Sequence, residues 1–576
     1  MKGFNSERFN NLTDLSRAVI KGRLRSLGIS DSDFDKPIIA IPNTYNEIAL
    51  PHRQLKPLVE YVKQGVYEAG GIPLEFNTIG VCDGIAQGTD GMKYVLPSRE
   101  IIADSIEIMV NSHEIFSGMI CLCACDKTVP GMLMATARLD IPTLVFTAGP
   151  IAPLYKYGTF DKDHNFNKFD LFNIDEIEAK YTEDYVKQAF LKGKITEEEL
   201  VNHYANLLNT CGVCTSMATA NSMGCIVEVL GLALPYSSLI PLVANEKIIF
   251  AKEAGKKVVD IVKKGLKPTQ IMTKESIDNA MVFNFATGGS MNAIMHLIAV
   301  CQELGIDYSF VDIDRLADNT PFLIDVRPCG KYDIIELYKV GGVPAVLKSI
   351  SELLHINSMS ITGNTLGVNI ENVEIPDHDI FHPISKPINK NAIVILKGNI
   401  ASVGAIAKPI GMKVQKDIIG KAKVFDSEEK FYQYAKKNKI EKHTVVVVRN
   451  EGPKGSPGLP EGHRISEILR SIEEKDISLI TDARFSGATL GIVVGYIVPE
   501  SYEDGLLGII ETGDTIEISL KKKELNLLVN DELIQQRLVS RKRKTINLKN
   551  NSYLTRYRKL VTGINQGCVL NADWSL

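Results

Sequence analysis

The feature that most constrains the fold is an alternation of short apolar runs and longer helical patterns that begins near Pro37. The apolar runs are rich in β-branched residues, and the segments between them repeat their apolar positions with a helical period. This order is typical of a mostly parallel sheet with helices on both faces. The successive segments are residues 38–41, 55–69, 76–81, 99–112, 119–123, 130–139 and 143–146.

Length requires more than one domain, because single cores stop growing near roughly 250–300 residues and this chain has 576. Helical patterns at residues 248–264 and 291–304 and an apolar run at 306–311, which predicts a strand, extend the first α/β domain over residues 1–375. Residues 376–390 combine proline, histidine and aspartate without apolar periodicity, which indicates a linker. Residues 391–576 alternate β-rich runs with glycine turns, so we expect a smaller, β-rich, barrel-like domain.

Composition excludes several classes of function. The formal net charge of -4 and the short basic run at residues 541–544 do not amount to the basic surface that nucleic-acid binding requires. The first 25 residues mix charged and apolar side chains, unlike a signal peptide, and we find no long uncharged apolar segment that would span a membrane. We therefore expect a cytoplasmic enzyme or binding protein whose ten cysteines are thiols or metal ligands.

Three cysteine clusters lie in the first domain: Cys82 alone, Cys121 to Cys125, and Cys211 with Cys214. The first two follow apolar runs, so they are expected at the sheet edge where α/β proteins gather ligands. Thiolates from three such loops would suit an iron–sulfur cluster.

Other interpretations of these cysteines remain open. Cys121, Cys123 and Cys225 lie within apolar runs and are better explained as buried small apolar residues. The spacing of Cys211 and Cys214 is also typical of a zinc or redox motif, although no second pair of cysteines or histidines accompanies it.

Two aspartates directly follow two of these cysteines. Asp83 comes after Cys82 and Asp126 after Cys125, which would place hard oxygen ligands of the kind Mg²⁺ prefers beside soft sulfur ligands. The alternative is that both aspartates cap the amino ends of helices, a common role for this residue.

Six longer motifs together resemble those of a known family. They are CDGIAQGTDGM with LPSRE (82–92, 96–100), CDKTVPGMLM (125–134), CTSMATANSM (214–223), GGSMN (288–292), EGPKGSPGLPE (451–461) and TDARFSGAT (481–489). In this order the chain resembles, from about residue 37 to 560, the family of dihydroxy-acid and 6-phosphogluconate dehydratases, which also includes aldonic acid dehydratases. Six ordered motifs are far more specific than one short pattern.

The resemblance implies roles for individual residues. Cys125 and Cys214 would be ligands of an iron–sulfur cluster, and Ser486 would be the catalytic base. A serine before Gly487 is otherwise typical of a turn. The Mg²⁺ ligands would be Asp83, Asp126, Glu461 and a carbamylated Lys127.

The chain departs from part of the family at residues 46–52, NEIALPH, where members with a two-iron cluster often carry a cysteine. Cys82 is the candidate for the third cluster ligand, in a pattern associated with a four-iron branch, so the cluster is expected to be 2Fe-2S or 4Fe-4S. Met291 and Ala483 also differ from the usual motifs without affecting the class.

The family implies a hydro-lyase that converts a 2,3-dihydroxy acid into a 2-oxo acid, as a homodimer or higher homo-oligomer. The length and the Cys82-Asp83 pair resemble dihydroxy-acid dehydratases of branched-chain amino acid biosynthesis. The segments at 87–90 and 327–332 also suit an aldonic acid substrate. A hypothesis of a different class is a non-catalytic redox sensor that uses Cys211 and Cys214 as a thiol switch.

Overall fold

Two large sheets and one two-stranded sheet contain the strands of the protein in a computed structural model. It describes residues 13–152, 159–160, 166–167, 189–191, 193–207, 210–409, 417–462, 464–465, 468, 477–485 and 492–570. The strands are β1 (Ile38–Asn43), β2 (Ile72–Asn77), β3 (Gly118–Cys123), β4 (Thr143–Thr147), β5 (Thr159–Phe160), β6 (Phe166–Asn167), β7 (Val394–Leu396), β8 (Gly404–Ala407), β9 (Ile418–Phe425), β10 (Thr444–Val448), β11 (Ser478–Thr481), β12 (Ile492–Val498), β13 (Thr515–Ser519) and β14 (Glu524–Leu527).

Helices surround both sheets. They are α1 (Asp14–Ser26), α2 (Leu50–Arg53), α3 (Leu55–Glu68), α4 (Asp83–Ala86), α5 (Ser98–His113), α6 (Thr128–Leu139), α7 (Glu197–Leu207), α8 (Thr219–Val229), α9 (Asn245–Lys264), α10 (Lys274–Ala286), α11 (Met291–Leu304), α12 (Phe310–Asn319), α13 (Ile334–Lys339), α14 (Gly342–Ser349), α15 (Leu366–Ile370), α16 (Glu428–Ala435), α17 (Asp531–Ser540) and α18 (Tyr553–Leu560).

The first sheet is parallel, with strand order β2-β1-β3-β4. Every residue of β1, β3 and β4 is buried, as expected for a parallel sheet covered on both faces. On one side α9 packs on α3 at a point where two glycines meet. A Cβ on Gly65 would lie 1.9 Å from the carbonyl oxygen of Lys252, and one on Gly255 would lie 2.2 Å from that of Val62. Only residues without a side chain allow this approach.

The second sheet has eight strands in the order β14-β13-β9-β10-β11-β12-β8-β7. Strands β9 to β12 run parallel, whereas both ends of the sheet are antiparallel. Lys397, directly after β7, pairs with Glu524 of β14, and this bridge brings the two edges together. The sheet is therefore nearly closed, and apolar residues such as Val445, Val447 and Ile480 form a separate core inside it.

The predicted fold class, an α/β domain with a parallel sheet followed by a β-rich barrel-like region, is confirmed. The predicted strand at 306–311 is wrong, because α12 begins at Phe310. Ser309 and Asp312 form a capping box at its start, and Phe310, Ile313 and Leu316 bury one helical face. The local apolar alternation resembled a strand, but the cap and the longer period determine the structure. Among the described helices, none has the length and apolar character needed to cross a membrane.

Candidate active site

The cysteine segments meet at the carboxyl edge of the first sheet. Parallel strands end at a common edge, where α/β proteins bind ligands. The chain reaches Cys82 soon after β2 and Cys125 two residues after β3. After β4, Pro150 pairs with Val213, which brings the segment before Cys214 to the same edge.

Two of the predicted cluster cysteines act on each other. The neighbouring thiol of Cys125, together with the backbone N–H groups of Gly84 and Ile85, lowers the pKa of Cys82 to about 7. The same pairing and burial raise the pKa of Cys125 well above its ordinary value. Cys82 is therefore the thiol that ionises first, and thiolates are the form of cysteine that binds metals.

The backbone around these cysteines is also unusual. Cys125 is buried and has a φ of 42°, a left-handed conformation that is uncommon for residues other than glycine and clusters at functional sites. Cys214 is exposed, with its sulfur 3.6 Å from the hydroxyl of Ser216. The side-chain amide of Asn221 fixes this loop by donating to the carbonyls of Cys214 and Ser216.

The cysteines predicted to be apolar core residues are indeed buried. Cys121 and Cys123 lie in β3 and Cys225 lies in α8, all with no exposed surface. Burial raises the pKa of each thiol. They belong to the hydrophobic core and do not face the edge.

Neither aspartate of the site acts as a helix cap. Cys82 and Lys127 occupy the N-cap positions of α4 and α6, and no side chain accepts a capping bond at either helix. Asp83 is instead the first residue of α4, and Asp126 precedes the cap of α6. The alternative based on capping is therefore not supported.

The carboxylates of the site act on one another. Burial raises the pKa of Asp83 well above its ordinary value, and the charges of Asp126 and Glu461 add to this, while Lys127 opposes it. Asp126 forms an ion pair with Lys127, whose side chain is completely buried. The other oxygen of Asp126, Oδ1, is buried and has no hydrogen-bond partner in the described part of the chain. Such an atom is costly unless a ligand satisfies it.

Glu461 reaches this neighbourhood from the second sheet. Its carboxylate accepts a hydrogen bond from Arg484 Nη1 at 2.9 Å, and Arg484 Nε donates to the carbonyl of Leu459 at 2.7 Å. The same guanidinium contacts the sulfur of Met92 at 3.8 Å. The loop also lies against the first region at Gly458, where an added Cβ would be 1.8 Å from the carbonyl oxygen of Lys93. Ser486, the predicted base, lies outside the described residues.

Several buried polar residues around Arg484 and Arg99 were not assigned a role from the sequence. Asn292 Oδ1 accepts from the hydroxyl of Tyr496 at 2.7 Å and lies 3.5 Å from Arg484 Nη1. One helical turn later, His296 lies beside Arg99. Asn292 and Arg484 fall within the GGSMN and TDARFSG motifs, but only the structure shows that these distant motifs meet.

The early loop at residues 46–52 packs under the segment that leads to Cys82. A Cβ on Gly80 would lie 2.9 Å from His52 Cε1. His52 is buried, its Nδ1 is 2.8 Å from the hydroxyl of Thr44, and its Nε2 has no partner among the described residues. Burial lowers its pKa to about 4, so the ring is neutral near pH 7.

The thiols and carboxylates at this edge are of the types that bind the iron–sulfur cluster and the Mg²⁺ implied by the family resemblance. They are not arranged as a complete set of metal ligands. Thiolates suit iron–sulfur clusters, and a buried carboxylate oxygen without a partner suits a cation such as Mg²⁺. In the part of the chain that the structure describes, no three His, Cys, Asp or Glu side chains are grouped so that they could hold a metal ion. Protein cations lie there instead, with Lys127 beside Asp126 and Arg484 beside Glu461.

Comparison with known proteins identifies the family. Residues 36–369 match the model of the N-terminal part of dihydroxy-acid/6-phosphogluconate dehydratases, and residues 379–568 match that of the C-terminal part. The chain therefore belongs to the dihydroxy-acid/6-phosphogluconate dehydratase family.

Relatives align over almost the whole length. A dihydroxy-acid dehydratase of Caldanaerobacter subterraneus subsp. tengcongensis is 43% identical, and the alignment covers 96% of this chain and 97% of the relative. Dihydroxy-acid dehydratases of Halothermothrix orenii and Pyrococcus abyssi are 41% and 38% identical, with 96% of this chain and 98% of each relative covered.

Proposed function

We propose that this protein is a hydro-lyase that converts a 2,3-dihydroxy carboxylic acid into a 2-oxo acid, as a dihydroxy-acid dehydratase of branched-chain amino acid biosynthesis. The observation that carries the proposal is the meeting of two Cys-Asp pairs, Cys82-Asp83 and Cys125-Asp126, at one sheet edge. The chain that contains them is similar to dihydroxy-acid dehydratases over nearly its full length. A cytoplasmic homodimer is part of the same proposal.

The proposed cofactors follow the two kinds of donor. Cys82, Cys125 and Cys214 would hold an iron–sulfur cluster of the 2Fe-2S or 4Fe-4S type. The pairing of Cys82 with Cys125, which lowers the pKa of Cys82 to about 7, supports two of these three ligands. The early loop carries His52 in place of a cysteine, which supports Cys82 as the third thiolate.

The proposed Mg²⁺ ligands are Asp83, Asp126, Glu461 and a carbamylated Lys127. An ammonium group beside Mg²⁺ would repel it, whereas a carbamate presents the anionic oxygen that the ion prefers. Lys127 is completely buried next to Asp126, so carbamylation would remove a buried positive charge and free both oxygens of Asp126. Arg484, which contacts Glu461 at 2.9 Å, would orient that carboxylate.

Dehydration requires loss of the C2 proton and of the C3 hydroxyl group. When bound, Mg²⁺ and a cluster iron would supply Lewis-acid chemistry at the carboxylate end and at the leaving hydroxyl. Ser486 would accept the C2 proton, and the resulting enol would tautomerise to the 2-oxo acid. A serine can act in this way when nearby positive charge and N–H donors stabilise its ionised form.

An activity screen of anaerobically purified protein tests this function. We expect iron, acid-labile sulfide and turnover of 2,3-dihydroxyisovalerate that exceeds turnover of gluconate, xylonate and 6-phosphogluconate. Preference for gluconate or xylonate would assign the protein to the aldonic acid branch. A protein without iron that turns over none of these acids would favour the thiol-sensor hypothesis. Lys127→Ala, Glu461→Gln and Ser486→Ala would abolish turnover in the first case but leave a thiol switch intact.

A further inference from the structure

A tyrosine in the barrel-like region has a backbone conformation that its surroundings must impose. Tyr496 lies within β12 with a φ of 55°, a left-handed conformation that is a genuine outlier for a bulky residue. Gly495 of this strand pairs with Ile406 of β8, and the next pair is Val498 with Gly404. Between these pairs β12 has one residue more than β8, which is a β-bulge. Bulges re-aim side chains and are frequent next to active sites.

The bulge holds the turn that follows β11. The backbone N–H of Tyr496 donates to the carbonyl of Ala483 at 3.1 Å. Beside it, the lack of a side chain at Gly495 makes room for the ring of Phe485, since an added Cβ would lie 2.3 Å from Phe485 Cε1. The ring centroids of Phe485 and Tyr496 are 6.2 Å apart. The turn of residues 481–485 therefore rests on the bulge, and Ser486 is the next residue in the sequence.

The side chain of Tyr496 connects the bulge to the first region. It is completely buried, and its hydroxyl donates to Asn292 Oδ1 at 2.7 Å. The nitrogen of the same amide donates to Thr219 Oγ1 at 3.1 Å, and this oxygen lies 2.7 Å from Ser290 Oγ. All of these residues are buried. A continuous chain of hydrogen bonds therefore runs from the bulge through the GGSMN motif to the start of α8.

The hydroxyl, more than the ring, fixes the bulge relative to α11. Apart from it, the donor near Asn292 Oδ1 is Arg484 Nη1 at 3.5 Å, a distance at which a hydrogen bond is weak. Without the hydroxyl, the buried amide oxygen would keep only this long contact, which is unfavourable. The ring contributes packing against Phe485 in either case, so its loss is not needed to weaken the link between the two regions.

We propose that Tyr496 is a positioning residue for the dehydration, because its hydrogen bond to Asn292 fixes the bulge and the bulge fixes the turn that leads to the proposed base, Ser486. The inference rests on the proposed function and assigns no chemical step to Tyr496. Reacting groups must be held near their productive geometry by packing and hydrogen bonds, and a displacement of about 1 Å can cost about 100-fold in rate. Loss of the hydroxyl should therefore reduce the reaction rate more than substrate binding.

The experiment removes one hydroxyl from each of two buried tyrosines. Tyr496→Phe loses the bond to Asn292 and keeps the ring. Tyr557→Phe is the matched control, because Tyr557 is also buried and its hydroxyl has no hydrogen-bond partner among the described residues. Anaerobically purified parent and variants are compared in kcat and KM for 2,3-dihydroxyisovalerate, in iron content, and in amide hydrogen exchange of residues 481–485 by peptide mass spectrometry. Ser486→Ala is measured in the same series.

In Tyr496→Phe we expect kcat to fall by about 10- to 100-fold, with KM and iron content near those of the parent and with faster amide exchange at residues 481–485. Tyr557→Phe should match the parent in every readout. Asn292→Ala should lower kcat at least as much as Tyr496→Phe. Combining the two substitutions should lower kcat no further, because the hydrogen bond that they share is already absent.

A parental kcat in Tyr496→Phe would overturn the proposal. Equal losses in Tyr496→Phe and Tyr557→Phe, or a loss of iron that accounts for the lower rate, would also overturn it and leave Tyr496 a purely structural residue. A lower kcat with unchanged exchange at residues 481–485 would show that Tyr496 does not act through the turn. Parental turnover in Ser486→Ala, or a parent that turns over no dihydroxy acid, would refute the proposed base or the proposed function independently of Tyr496, and the role of Tyr496 would fall with it.

Discussion

Buried polar groups are more completely hydrogen-bonded in the barrel-like region than in the first region. In the barrel-like region, Asp482 accepts hydrogen bonds from the backbone N–H groups of Glu451 and Ser501 at 2.9 Å each, and from the Ser501 hydroxyl. In the first region, Asp126 Oδ1 and the Nε2 atoms of His52 and His296 are buried without a partner among the described residues. None of the unpartnered buried side-chain atoms in the described chain belongs to residues 394–540.

Buried polar groups that have hydrogen-bond partners stabilise the fold, whereas buried polar groups without partners are candidates for binding a ligand. A buried carboxylate with three donors stabilises the loops that it joins. A buried carboxylate without donors, next to other carboxylates, destabilises the protein until a cation or substrate reaches it. In the barrel-like region, Arg484 therefore has hydrogen-bond acceptors in Glu461 and Leu459. At the sheet edge, Asp126 has a buried carboxylate oxygen that no described residue satisfies.

The largest expected effect is on activity, from Asp83→Asn. The substitution preserves size but removes one proposed Mg²⁺ ligand, so turnover should fall by more than about 100-fold, the upper figure for residues that only support a metal ligand. Without added Mg²⁺ the Tm should stay the same or rise, because the change removes repulsion from Asp126 and Glu461. Steady-state kinetics and calorimetry measure the two effects. Normal turnover in this variant would remove Asp83 from the site.

Cys82→Ser should cause the next largest effect, a loss of cluster. Serine nearly preserves the volume, so folding should be intact while iron and sulfide content fall in anaerobically purified protein. Cys329→Ser is the matched control, because Cys329 is also half-buried and its thiol donates to the carbonyl of Gly288 at 3.2 Å. If Cys82→Ser kept its cluster, the third ligand would have to be sought at Cys211, because Cys121 and Cys123 are buried in the core.

Asp482→Asn tests the opposite half of the comparison. The amide nitrogen would face donors that now bond to a carboxylate, so the free energy of unfolding should fall by about 2–3 kcal/mol. Denaturant unfolding measures this change, and Asp83→Asn, which should alter stability by less than about 0.5 kcal/mol or raise it, is the control. Similar stability changes in the two variants would contradict the contrast between the two regions.

The sequence predicts those structural features that depend on local residue patterns, such as the position of a residue after a strand. Cys82 and Cys125 were expected together because each follows a strand of one parallel sheet, and this follows from the βαβ order. The contact of Arg99 with His296 joins residues 197 positions apart, and no local period or motif spacing encodes such a pair. The segment at 306–311 was predicted incorrectly because the helix cap at Ser309 lies inside an apolar alternation.

The smallest expected effect is a shift in the pH dependence of thiol reactivity, and it isolates one interaction at the sheet edge. With cluster and metal removed, alkylation of Cys82 by iodoacetamide should increase with pH and level off above a midpoint of about 7, because only the thiolate reacts. Cys211 is the comparator on the same edge, since it is also half-buried but burial raises its pKa. Its alkylation should therefore increase only at higher pH.

The variant Cys125→Ala tests the cause of this shift. Removal of the neighbouring thiol should move the Cys82 midpoint toward the ordinary thiol pKa of about 8.5, while Cys211 should not change. Peptide mass spectrometry across a pH series gives both curves in one sample. A Cys82 midpoint that is already near 8.5 in the parent would show that the two thiols do not act on each other, and the ligand role of Cys82 would then rest on cluster content alone.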